Sequence, residues 1–335
     1  SNTRVDYGSV GKIIKKLINK DIKTKIKVIF LTPEHYPIYR EKDKYNIGLF
    51  VWETDKLPRE WVEACNSSMD EIWTASEWNK QVFINSGINK PVYVFPHCVD
   101  FEDFTNQKPI EIEGLDPKWY KFYSIFQWSE RKNPIGLLKS YLTAFKKHDD
   151  VVLILKTYKN DYSTGEQNVI RNLIKSIKYD VGDLSNQPKI ILIPGSMDKN
   201  EILCLHQLGN CFVLPTRAEG WSMPAFEAEA MGRPVITTNH SAHLEFCKPD
   251  FSYLIDWQPL PVTGMSWIKW YNSDMTWAEP NLLHCRDLMR QVYNDRNNAS
   301  KLGQCAKDFL LPRFNLVSVG NLIKDRLMEI SNGIS

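Results

Sequence analysis

Cys211-Phe212-Val213-Leu214-Pro215-Thr216-Arg217-Ala218-Glu219-Gly220-Trp221-Ser222-Met223-Pro224-Ala225-Phe226-Glu227 joins a short apolar run to a segment of helical composition. The run from Cys211 to Pro215 is rich in strand formers, and Ala225 to Met231 holds Ala, Glu and Met in helical proportion. The turn between them therefore links a buried strand to a helix. Pro224 suits the first helical position, where a missing N–H is no loss, and Ser222 is placed to cap. Glu227 then falls on the first helical turn. Glu219 falls in the loop beyond the carboxyl end of the strand, where open α/β sheets bind ligands. Unpaired N–H groups and a partial positive charge at the helix start suit a phosphate or sugar hydroxyls, and each carboxylate can accept several hydroxyl hydrogen bonds. Read alone, the pattern fits equally a capped helix bearing two surface glutamates.

A second strand-to-helix loop lies upstream, at Phe126-Gln127-Trp128-Ser129-Glu130-Arg131-Lys132-Asn133-Pro134, between the apolar run Phe122 to Phe126 and the helical Leu137 to Leu142. Adjacent Arg131 and Lys132 in such a loop can neutralise a diphosphate, one through a bidentate fork and the other as a point charge. A solvated Arg-Lys pair on the surface is the competing reading.

With both loops in view, the chain resembles the retaining glycosyltransferases of the GT-B fold, family 4-like (glycosyl transferases group 1). Their signature runs E-G-aromatic-small-x-x-x-x-E-A-x-A-x-G-x-P-V-I, and this chain reads Glu219-Gly220-Trp221-Ser222, then Glu227-Ala228-Glu229-Ala230-Met231-Gly232-Arg233-Pro234-Val235-Ile236. The resemblance implies a metal-independent enzyme, with no cofactor, moving a hexose from a nucleotide-diphosphate sugar to a carbohydrate or lipid-linked glycan. It gives Glu227 the nucleotide ribose, Glu219 the donor sugar, and the amides from Gly220 to Met223, through Trp221 and Ser222, the sugar and phosphate. Arg131 and Lys132 would stabilise the leaving diphosphate. Trp221 replaces the usual Phe, Pro224 has no amide to give, and Gln127-Trp128 replaces the commoner Gly-Arg. The turn at Gly195-Ser196, after the buried-type strand Ile190 to Ile193 and before the helical Lys199 to Leu208, would flank the base together with Met197 and Ile202. Ordinary packing is the alternative for those residues.

The same resemblance extends to the amino-terminal part. Lys27 to Leu31, Tyr45 to Val51 and Glu71 to Trp73 read as strands and Pro58 to Ser67 as a helix, so the order is α/β. Glu34 and His35 sit where many relatives carry a cleft histidine, and His35 is the catalytic candidate of this half, set against a plain loop histidine. Trp52 and Glu53 end the second strand. An aromatic face and carboxylates suit a carbohydrate, so Glu34, Trp52 and Glu53 are the acceptor-binding candidates. His97 reads as structural. The expected glycine-rich first loop is reduced to Asp6-Tyr7-Gly8-Ser9-Val10-Gly11, with Gly8 the candidate for a donor-phosphate contact. The Ser-Asn start in place of Met is read as an expression remnant, and the domain as shortened.

Lys12 to Lys20 reads as an amphipathic basic helix, with more lysines at 23, 25 and 27. Docking on its own sheet is one reading. Peripheral contact with an anionic membrane or a lipid-linked acceptor is the other. The 335 residues allow two domains with ample cores, and a net charge of +2 demands no nucleic acid. Seven cysteines without a CxxC pair favour reduced thiols and no zinc site. No apolar run is long enough to span a membrane and no signal peptide is evident. The expected location is cytoplasmic. The domain reading is 1–103 for the acceptor-side Rossmann-like domain and 104–118 for the linker. The nucleotide-sugar-binding domain follows at 119–312, then a helix at 313–335 crossing back. The Trp- and Pro-rich stretch from Tyr253 to Pro280 lacks periodicity and is read as a packed surface loop, with a sugar-lining role as the alternative. Other readings on the same fold are a non-catalytic nucleotide-sugar-binding module and a sugar-nucleotide epimerase or phosphorylase.

Overall fold

Two runs of eight residues, β5 (Tyr120–Gln127) and β6 (Val151–Tyr158), are apolar on both faces and buried almost throughout. Parallel strands with helices on either side have this character, because neither face meets water. The computed structural model describes residues 23–105 and 107–334, together with Lys16, Ile18 and Lys20. Around β5 and β6 it places β7 (Lys189–Ile193), β8 (Cys211–Leu214), β9 (Val235–Thr238) and β10 (Tyr253–Ile255), in the order β10-β9-β8-β5-β6-β7, all parallel. This is a doubly wound sheet. Its direction of winding reverses between β5 and β8, and the crevice beyond the carboxyl ends of those two strands is where such sheets take ligands. Both loops singled out by sequence leave from these strands.

The first sheet holds β1 (Ile26–Phe30), β2 (Tyr45–Leu49), β3 (Glu71–Thr74) and β4 (Val92–Val94), parallel and in chain order. Its connections run through the short helix α1 (Tyr36–Tyr39), α2 (Arg59–Ser68) and α3 (Glu77–Asn85). In the second domain α4 (Pro134–Ala144), α5 (Thr164–Val181), α6 (Lys199–Leu208) and α7 (Met223–Ala230) cover the sheet, followed by α8 (Leu282–Asn294), α9 (Arg296–Leu310) and α10 (Leu316–Gly333). The last helix returns to the first sheet. Arg326 on α10 pairs with the wholly buried Glu71 of β3, which also accepts from Trp73 Nε1 (2.6 Å) and Tyr45 Oη (3.0 Å), while Ile330 packs against Ile47 and Trp73. A buried carboxylate is tolerated here because its lone pairs are satisfied.

The 253–280 stretch corrects its reading as a loop. After β10 it forms an antiparallel ribbon, β11 (Trp257–Pro261) with β12 (Thr276–Pro280), and the segment between them leaves its own domain. Val262, Met265, Met275 and Trp277 join the core of the first domain with Phe50, Trp52 and Trp61, and Trp270 and Tyr271 pack against it. Periodicity failed to show this because the segment buries its aromatics against another domain rather than along one face of an element. Among the described residues no helix is long and apolar enough to cross a membrane.

Candidate active site

The β5 loop is stiffened where it matters. Glu130–Lys132 makes one 3-10 turn, Asn133 takes a left-handed conformation (φ 51°), and its side chain caps α4 by accepting from Gly136 N at 3.1 Å. Asn is among the few residues that adopt this backbone at modest cost. The two loops are then tied together, because Arg131 O accepts from Arg217 N (2.7 Å) and Thr216 Oγ1 (3.1 Å), while Arg131 Nη1 donates to Ala218 O (2.8 Å).

This brings Arg131, Lys132 and Glu219 into contact. Lys132 Nζ lies 2.6 and 2.7 Å from the two Glu219 oxygens, and Arg131 Nη1 lies 3.2 Å from Oε2. Arg131 also reaches across the cleft, with Nη2 at 3.5 Å from Glu53 Oε1. Burial alone would raise the Glu219 carboxyl, but Lys132 and Arg131 outweigh it and hold it at about 2. Burial pushes the Lys132 ammonium down, against the attraction of Glu219, while the Arg131 guanidinium, despite burial, is raised by Glu53 and Glu219. Two cations and two carboxylates thus share one partly dry spot, where Coulomb interactions exceed their surface values.

Glu219 is also fixed from behind. Its backbone N–H donates to Ser241 Oγ at 2.9 Å, and Ser241 lies 3.5 Å from Nδ1 of the wholly buried His243. His243 Nε2 is 2.7 Å from Thr238 O, which places a hydrogen on Nε2 and leaves Nδ1 to accept from Ser241. Burial holds His243 below the usual histidine range in spite of the neighbouring Glu219.

The helix start differs from its reading. Ser222 does occupy the N-cap position of α7, but with φ 76°, and its hydroxyl caps nothing and is buried without a partner. The capping role assigned to Ser222 is therefore corrected. A left-handed serine turns its side chain away from the first amides, and the start of α7 keeps N–H groups free for a ligand. Trp221 is buried among Phe226, Phe246 and Phe314 with the His97 ring against it at 5.4 Å, so it shapes the turn from inside, and Met223 is partly exposed. A Cβ on Gly220 would stand 2.8 Å from Val51 Cγ2, so glycine lets the two domains approach here. Gly220→Ala is expected to lower Tm by a few degrees, about 2 kcal/mol of overpacking, in a thermal melt. A melt matching the wild type would show that Val51 yields freely.

Residues 106–257 match the model described as glycosyl transferases group 1. Sucrose-phosphate synthase from Thermosynechococcus elongatus superposes with a TM-score of 0.62 at 13% identity, over 97% of this chain and 71% of that one. Anabaena HepE, solved with UDP and glucose, gives 0.66 at 12% identity, over 97% of this chain and 84% of its own. The fold is GT-B. An uncharacterized protein 356 of Sulfolobus islandicus rod-shaped virus 1 is 24% identical over 220 residues, 65% of this chain, and the match spans 58% of the viral protein. The family match takes in both the Arg131-Lys132 loop and the Glu219 to Glu227 turn, and the solved structures carry the fold.

Of the donor-side candidates, Glu227 and the Gly220 to Met223 turn follow β8 at the switch point, whereas Gly195 and Ser196 follow the edge strand β7. Glu227 sits on the first turns of α7 with its Oε2 3.4 Å from His206 Nε2. Gly195 and the exposed Ser196 close the carboxyl end of β7, where Gly195 O accepts from the buried Lys156 Nζ at 2.6 Å. Gly8 lies outside the described residues, as does half of the Lys12–Lys27 region. The acceptor-side candidates are spoken for by the 262–275 segment. Trp52 is buried and stacked under Tyr271 (4.9 Å, 21°), and its Nε1 donates to Thr54 Oγ1 at 2.7 Å, so it offers no free face to a sugar. Tyr271 Oη donates to Glu53 Oε2 at 2.9 Å, and Trp270 Nε1 to Glu34 Oε1 at 3.1 Å. His35 stays apart. Its ring is half exposed, 3.9 Å from Glu34, and no hydrogen bond or ion pair joins it to Glu219, Arg131 or Lys132. Sequence reasoning did not single out Tyr271, Ser241, His243 or His206 as site residues. The Trp-rich composition of 253–280 was the signal available for the first; the others carry none in their local sequence.

Proposed function

We propose that the protein is a retaining, metal-independent glycosyltransferase that moves a hexose from a nucleotide-diphosphate sugar to a carbohydrate or lipid-linked glycan acceptor. The observation that carries this reading is the meeting of Arg131, Lys132 and Glu219 from two loops that flank the switch point. Two fixed cations suit a departing diphosphate, and their placement before reaction avoids the cost of reorganising solvent around new charge. The C1–O bond to the phosphate breaks as the acceptor oxygen bonds C1 on the same face, and the acceptor proton passes to the released phosphate oxygen. Glu219 is a poor base and a shielded nucleophile, being held at about 2 and caged by both cations, which supports the phosphate as proton acceptor. Its remaining lone pairs suit donor-sugar hydroxyls. The site proposed is cytoplasmic, with peripheral membrane contact through the Lys12–Lys27 region.

One observation favours a second reading. The aromatic segment over Trp52, Glu53 and Glu34 covers the surface proposed for the acceptor, as in a donor-binding module that performs no transfer. Incubation with UDP- and GDP-hexoses and a panel of glycan acceptors, with and without EDTA, separates the two. The expected product keeps the donor's anomeric configuration by NMR and forms at the same rate in EDTA. Inversion or EDTA sensitivity would overturn the mechanism, and donor binding without any product would favour the module.

A further inference from the structure

Beneath Glu227 lies a pair of groups for which the proposed reaction has no use. His206, near the end of α6, is wholly buried, and its Nδ1 lies 2.8 Å from the hydroxyl of Tyr123, itself wholly buried on β5. Neither ring has room to drift. A Cβ on Gly209 would come within 2.1 Å of Tyr123, so that ring rests directly on the backbone, and Arg233 holds the end of α6 by donating from Nε to His206 O (3.1 Å) and from Nη2 to Gln207 O (2.9 Å). The other ring nitrogen, Nε2, has no hydrogen-bond partner and faces Glu227 Oε2 at 3.4 Å.

The chemistry of the three groups selects one arrangement. Burial pushes the Tyr123 hydroxyl well above its ordinary range, so it is protonated and able to donate. If it accepted from Nδ1–H instead, a bare Nε2 lone pair would face a carboxylate lone pair. With Tyr123 donating, the hydrogen sits on Nε2, the ring nitrogen beside Glu227. We propose that Tyr123 and His206 are positioning residues for the donor ribose, holding one oxygen of Glu227 from beneath so that the other stays turned to the crevice. The inference rests on the donor reading above, in which Glu227 takes the ribose hydroxyls. The contact at 3.4 Å is long for a hydrogen bond and tightens when ribose draws the carboxylate into place, as polar contacts at such sites do on ligand binding.

Calorimetry on the full chain with UDP and with its 2′,3′-dideoxy analogue tests this, using GDP and its dideoxy counterpart where the wild type prefers guanine. His206→Phe and Tyr123→Phe should each weaken the ribonucleotide about tenfold, the order of one lost orienting hydrogen bond, and leave the dideoxy nucleotide unchanged. Tyr123→Phe removes one oxygen and keeps the ring, so it stands in if His206→Phe does not fold. His206→Gln, which retains a donor, should recover most of the loss. In turnover the defect should appear in KM for the donor, with kcat held. Equal weakening of both nucleotides would mark the pair as structural packing, and no weakening of either would also overturn the proposal. A wild type that binds neither UDP nor GDP removes the donor reading itself.

Discussion

Replacing Lys132 with alanine is expected to slow transfer about a hundredfold at saturating donor, the equivalent of about 3 kcal/mol of transition-state stabilisation. Lys132 Nζ stands within hydrogen-bond distance of both Glu219 oxygens, at the point where the β5 and β8 loops meet. Arg131 cannot take over, because its guanidinium is divided among Ala218 O, Glu219 and Glu53. Charge on the diphosphate grows as the glycosidic bond breaks, so the loss should fall on kcat more than on donor binding. Loss of Lys132 removes the strongest of the charges that hold the Glu219 carboxyl down, so it should rise from about 2. Lys132→Arg restores the charge on a bulkier, planar group and should recover only part of the rate. Steady-state kinetics with a melt of each variant give the answer. A folded Lys132→Ala enzyme turning over like the wild type would remove Lys132 from the reaction.

The parts of this site that the sequence announces are those carried by a local rule. A strand run, a turn and a helix start place Glu219 and Glu227; a basic pair in a strand-to-helix loop places Arg131 and Lys132. Their meeting follows from the order of the sheet, β8 beside β5, which a linear pattern does not encode. Local rules also fail locally. Ser222 has the identity of a cap, but the close packing of Gly220 on Val51 and of Trp221 in the core accompanies a turn in which Ser222 is left-handed and its hydroxyl points elsewhere. The 262–275 segment is the larger gap. Trp270 and Tyr271 look like surface aromatics until the first domain supplies Trp61 at 5.3 Å and Trp52 at 4.9 Å. That docking turns Glu53 from an acceptor candidate into a bridge held by Tyr271 on one side and Arg131 on the other. The docked segment and the charges at the proposed diphosphate site are thereby linked through one carboxylate.

Glu229 shows what a signature hides at a position it leaves open, and it carries the largest effect on stability. It lies on α7 two residues beyond Glu227, on the opposite side of the helix surface, and is wholly buried, with Oε1 accepting from Ser252 Oγ at 2.6 Å and Oε2 unpartnered. Burial pushes its carboxyl up to about 8, against the lowering influence of Ser252, Cys247 and the Lys248 charge. In the unfolded chain it titrates near 4.5. The folded state therefore holds the proton more tightly, so the contribution to stability is full below pH 4.5, declines as pH rises and is gone above about 8. Across that window the change is on the order of 5 kcal/mol. Glu229→Gln keeps the shape of the protonated acid and its acceptor for Ser252 without the titration. The half-buried His97 and His240 and the buried His243 shift the other way, since loss of solvent lowers each of them, and they stay in both proteins. The difference between wild type and Glu229→Gln isolates Glu229. Denaturant unfolding at intervals from pH 5 to 8 should show the wild type losing several kcal/mol relative to the variant, with the two closest at pH 5. Parallel pH profiles would mean that the carboxyl ionises inside the fold at little cost and would remove its burial as a source of pH-dependent stability.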